Sequence, residues 1–131
     1  MARRLDNPLI RAPRYEGVAP IDQLNGMPRV PVNTTVAATG TVITDAAPIF
    51  PGFTLVSGAD DAKGVILQVG LIGDVYIIKV GDGADLKVWP PSGSVINALN
   101  ASAAMTVIDD VCFMVIKATA TQYYTLPLLP S

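Results

Sequence analysis

The stretch Gly73-Asp74-Val75-Tyr76-Ile77-Ile78-Lys79-Val80-Gly81-Asp82-Gly83 decides the fold class. Six residues rich in β-branched and aromatic side chains are bracketed by glycine- and aspartate-bearing breaks, the chemistry of a short strand between turns. Its apolar residues are successive rather than alternating, a pattern expected where both faces of a strand are covered. The run Val111-Cys112-Phe113-Met114-Val115-Ile116 repeats it. The second cover is either the other half of a sandwich or a neighbouring subunit, and the runs alone leave both open.

The same reading extends outward over most of the chain. Strands are expected over 34–44, 53–56, 64–69, 74–80, 86–89, 95–96, 105–108, 111–118 and 122–126. Turn residues separate them at Ser57-Gly58, Gly70, Gly73, Pro90-Pro91-Ser92-Gly93 and Asp109-Asp110. Ala-rich 97–105 is expected to be a loop with at most one helical turn. Short strands at this spacing predict an all-β body, a β-sandwich or jelly-roll-like domain over 33–131.

Residues 1–32 read differently. Pro8, Pro13, Pro20, Pro28 and Pro31 remove backbone donors and disfavour helix just before themselves, and no apolar period survives their spacing. An extended, Pro-rich N-terminal arm is expected, with Leu9, Ile10, Tyr15 and Ile21 as isolated apolar anchors. All five arginines (Arg3, Arg4, Arg11, Arg14, Arg29) lie in residues 1–29, where five positive charges meet three negative ones, net +2. The remainder carries four positive against eight negative, net −4. Arginine makes forked contacts to carboxylates, so the five arginines are expected to pair with an acidic protein surface while the four apolar anchors fill shallow pockets on it, nine arm residues in all. Charge this thin, in a chain of pI near 4.8, argues against nucleic acid.

Half of the 131 residues are hydrophobic and only 15% are charged, against about 25% in ordinary soluble domains. A small domain cannot hide that much apolar surface by itself, and assembly with other subunits is the expected remedy. No apolar run is long enough for a spanning helix, and Met1-Ala2-Arg3-Arg4-Leu5-Asp6 lacks the apolar core of a secretory signal, so no membrane partner is expected. Trp89, Tyr123, Tyr124 and Leu126 are the candidate oligomer-interface residues. Of the two adjacent tyrosines, one is expected inside and one outside.

The catalytic toolkit is thin. There is no histidine, and Cys112 is the one cysteine, expected to be buried as a small hydrophobe. A zinc site would need carboxylates alone, and a Ser or Cys nucleophile would lack an imidazole. Gly81-Asp82-Gly83-Ala84-Asp85 lacks the ligands of a calcium loop and is expected to form a hairpin turn. Asp60-Asp61 and Asp109-Asp110 are expected to be solvated turns. No catalytic, cofactor or metal site is expected, and the chain is read as a non-enzyme.

Between Ala62 and Pro127 the order of motifs carries a resemblance. Lys63-Gly64-Val65-Ile66-Leu67 precedes Gly73 to Val80; Leu86-Lys87-Val88-Trp89-Pro90-Pro91-Ser92-Gly93 and Ile96-Asn97-Ala98-Leu99 follow, then Ala120-Thr121-Gln122-Tyr123-Tyr124-Thr125-Leu126. This layout resembles a β-rich domain of tailed-bacteriophage virion structural proteins, particularly head decoration (cement) proteins, over roughly half the chain. The resemblance implies a homotrimer or other small ring on the outer surface of a capsid, made in the host cytoplasm and bridging major capsid proteins. Related domains occur in fibre-like phage proteins, which implies as an alternative a receptor- or glycan-binding module acting through loops 90–93 and 97–104.

Overall fold

The computed structural model describes residues 29–68, 70–81 and 83–127, and most of the expected arm (residues 1–28) lies outside them. From Pro31 the described residues form one all-β body without helix. Its ten strands are β1 (Val36–Ala37), β2 (Ala47–Ile49), β3 (Gly52–Ser57), β4 (Gly64–Leu67), β5 (Val75–Val80), β6 (Leu86–Trp89), β7 (Val95–Ile96), β8 (Met105–Val107), β9 (Cys112–Lys117) and β10 (Gln122–Leu126).

These strands make two sheets, one of six strands in the order β1-β3-β5-β9-β10-β7 and one of four in the order β2-β4-β6-β8. From β1 to β9 every successive strand changes sheet. The first six therefore wind as stacked coils. Val36 lies beside Val56 and Val56 beside Val80, twenty and twenty-four residues further on, all in parallel. In the other sheet Ala47, Val65 and Val88 stack in parallel in the same way. After the third coil the chain reverses, with β8 antiparallel to β6 and β9 antiparallel to β5. Only β9 and β10 form a hairpin among the described strands. The all-β class follows the sequence reading, while the connectivity is that of a short solenoid with an antiparallel cap rather than a sandwich of hairpins.

This coiling explains where local expectations fail. The glycine-rich break after Val80 is not a hairpin turn, because β5 and β6 belong to different sheets; it is a corner. Corners of successive coils are stitched together: Asp61 N donates to Asp85 O (3.0 Å), and Asp85 N donates to Asp61 Oδ1 (2.8 Å). Asp60 Oδ1 accepts Lys63 N (2.8 Å) and Ala62 N (3.2 Å), and those N–H donors hold its carboxyl below the usual range. The long strand expected over 34–44 shrinks to Val36–Ala37. At Gly40 (φ +67°) the chain turns back so tightly that a Cβ would strike the Asp45 side chain and backbone. Ala47–Ile49, missed in the sequence because Pro48 cannot donate to a ladder, sits on a sheet edge, where proline is tolerated.

One core lies between the sheets. Ile49, Val56, Leu67, Ile78, Val80, Leu86, Val88, Ile96, Met105 and Val115 are at most 1% exposed. They are the inward halves of alternating strands, as the pleat requires.

Candidate interaction face

The other halves of the same strands make the outer face of the six-stranded sheet. Register sets them in rows. Phe53, Ile77, Met114 and Leu126 lie side by side across β3, β5, β9 and β10. Val75, Ile116 and Tyr124 form a second row, and Leu55, Lys79 and Cys112 a third. Val75, Ile77, Met114 and Ile116 are half-buried, while Leu55 (40%), Tyr124 (48%) and Leu126 (61%) are exposed.

Lys79 is the only charged residue at the outward positions of these four strands. Its ammonium is held by the Asp110 carboxylate and also donates to Asp110 O (3.0 Å). The hydrogen bond from Lys79 to the carboxylate, and then the lysine's charge, hold the Asp110 carboxyl below its ordinary value. The face is thus mainly apolar, with Ser57 and Gln122 as polar members at the strand ends, and it carries no uncompensated charge.

The expected interface residues divide. Tyr124 and Leu126 stand on this face; Tyr123 is fully buried in the core and Trp89 is 7% exposed, so neither is available to a partner. The tyrosine pair splits, one in and one out, as period-2 alternation requires. Cys112 corrects an expectation: as the first residue of β9 it points outward and is exposed, not buried. Phe53, Leu55, Ile77, Met114 and Ile116 were not identified from sequence. The successive apolar positions in 75–80 and 111–116 were the signal, but only register shows that their outward members align. Of the nine arm residues only Arg29 is described, and it is exposed; Arg3, Arg4, Leu9, Ile10, Arg11, Arg14, Tyr15 and Ile21 lie outside the described residues.

A polar cluster sits at one end of the core. Lys117, 6% exposed, donates to Gly70 O (2.8 Å) and lies 5.8 Å from the centre of the Tyr123 ring. Tyr76 donates to Gln68 O (2.6 Å), and Asp74 Oδ2 accepts Leu71 N (2.8 Å). The Tyr123 hydroxyl is buried without a hydrogen-bond partner. Burial first, then neighbouring Tyr123 and Asp74, pushes the Tyr76 hydroxyl well above its ordinary value; burial and Asp74 raise Tyr123. These bonds close the 68–74 loop onto the body rather than line a cleft.

Among the described residues no three His, Cys, Asp or Glu side chains gather as a metal site. An open depression of about 420 Å³ beside β2 and β4, lined by Ile43, Thr44, Ala46, Pro48, Ile66, Gln68 and Ser92, has no titratable side chain. Of the loops expected to recognise a receptor, Pro90 and Pro91 are buried, and 93–94 is tied to Ser102 by Gly93 N to Ser102 Oγ and Ser102 N to Ser94 O, both 2.8 Å.

Comparison of the chain with protein-family models, curated proteins and solved structures finds no match.

Proposed function

We propose that the chain is a structural subunit of a virion, a capsid decoration protein whose body packs against other subunits while its N-terminal arm grips the major capsid protein. The observation that carries the reading is the outer face of the six-stranded sheet, with two apolar rows, a third row holding Lys79, and no uncompensated charge. A contiguous apolar patch of a few hundred Å² is often a functional surface. The charge polarity of the sequence supplies the other half: a net +2 over residues 1–29 suits an acidic capsid surface, and a net −4 body does not. Several arms per assembly multiply weak contacts.

The receptor-binding alternative has less support, because Pro90 and Pro91 are buried and the two candidate loops are fastened to each other. The test compares full-length protein with the charge reversals Arg3→Glu, Arg4→Glu, Arg11→Glu and Arg14→Glu combined, on purified expanded capsids and on host cells. Capsid binding that the reversals abolish supports decoration. Undiminished binding, or binding to cells alone, contradicts it.

A further inference from the structure

We propose that the occupant of the outer face of the six-stranded sheet is a second copy of this chain, related by a two-fold axis, with the two sheets packed face to face. The inference rests on the assembly reading above and specifies its contact.

Charge is the first ground. The body carries net −4, so two copies repel unless they meet where charge is absent. The outward positions of β3, β5, β9 and β10 are that place: one lysine, already neutralised by Asp110. A two-fold contact uses the same patch on both copies, and this patch brings no uncompensated charge against itself. An acidic partner, which the arginines of the arm fit, finds no complement here.

Geometry is the second. Aligned sheet faces pack through interdigitating side chains about 10 Å apart, and the registered rows of Ile77 and Met114 offer such ridges. The sheet edges offer little instead. In the six-stranded sheet β1 and β7 are two residues long; in the four-stranded sheet β2 and β8 are three, and β2 contains Pro48. Short edges with proline are poor templates for adding a strand.

Size sets the strength. Four strands about 4.8 Å apart and about five residues long cover roughly 300 Å² in plan. That is below the roughly 800 Å² per partner of a standard interface, so the pair is reversible on its own. It becomes populated where arms hold copies side by side.

The experiment is sedimentation velocity on the full chain, without capsids, from ~10 μM to ~1 mM, the range of a weak complex. Wild type is expected to pass from monomer to dimer with concentration. Leu126→Glu and Tyr124→Glu, both at exposed positions and both checked for native circular dichroism, should weaken the dimer at least tenfold. Thr106→Glu, exposed on the other sheet, should not. A monomer throughout, a trimer, or a dimer that Leu126→Glu weakens no more than Thr106→Glu overturns the proposal. Capsid binding is scored separately: a dimer that ignores capsids removes the decoration reading and leaves the pairing, and a monomer that decorates capsids does the reverse.

Discussion

The two sheets share one core and differ on their outer faces. On the four-stranded sheet one aromatic side chain covers a neighbouring strand. Trp89 points outward from β6 yet is only 7% exposed, because its ring lies across β4 where Gly64 leaves room. A Cβ on Gly64 would stand 2.5 Å from Trp89 Cζ3 and would also strike Lys87 O. Beside it, Lys87 reaches Thr106 Oγ1 at 3.0 Å. The six-stranded sheet has no such cover among the described residues and leaves Leu55, Tyr124 and Leu126 exposed. One sheet is partly covered by an aromatic of its own chain, and the other keeps Leu55, Tyr124 and Leu126 exposed, the face that the proposed pairing would cover.

The largest expected effect tests the covered side. Trp89→Ala should destabilise the body by about 3–5 kcal/mol, the cost of emptying a buried aromatic site. Leu126→Ala, on the bare side, should cost no more than about 0.5 kcal/mol in the monomer. Urea titrations at low protein concentration read both. Equal losses would break the contrast.

Gly64→Ala comes next, at about 1–3 kcal/mol for crowding a packed site. In a Trp89→Ala background part of that cost should vanish, since the ring is one of the two obstacles. Strict additivity would mean that the tryptophan does not lie on the glycine.

Smaller effects come from the two core tyrosines. Tyr76→Phe forfeits a bond to Gln68 O and should cost about 1 kcal/mol, whereas Tyr123→Phe removes an unpartnered hydroxyl and should be neutral or slightly stabilising. Both hydroxyls have folded pKa values raised by burial. Their contribution is full below about pH 10, the unfolded value, and is lost as pH rises through the folded ones. Alkaline titration followed by tyrosinate absorbance and circular dichroism should show the strand signal failing as these two ionise. Ionisation of all four tyrosines with the strand signal intact would contradict their burial.

Much of the body was legible in sequence. β5, β6, β9 and β10 fall within about a residue of their expected limits, because β-branched runs between Gly, Pro and Asp breaks carry a strong local signal. What was not legible is which strand lies beside which. Parallel pairing of Val36, Val56 and Val80 joins residues twenty or more apart, and nothing local announces it. The corner after Val80 looked like a hairpin for that reason, since the same Gly and Asp residues serve both. Cys112 was misplaced for a related reason: inside an apolar run only the register, fixed by its pairing with Lys79, tells which residues face out. Tyr124 and Leu126 were visible as an alternation, whereas Ile77, Met114 and Ile116 needed the third dimension.

That exposed thiol offers the most direct test of the central claim, that the outer face of the six-stranded sheet is the surface the protein assembles through. Cys112 lies in the row with Leu55 and Lys79, and its alkylation rate under excess reagent reports whether the face is covered. Between ~10 μM and ~1 mM wild-type protein the rate per thiol should fall severalfold as the weak complex fills, and in Leu126→Glu it should stay constant. A wild-type rate that is the same at both concentrations would contradict the account.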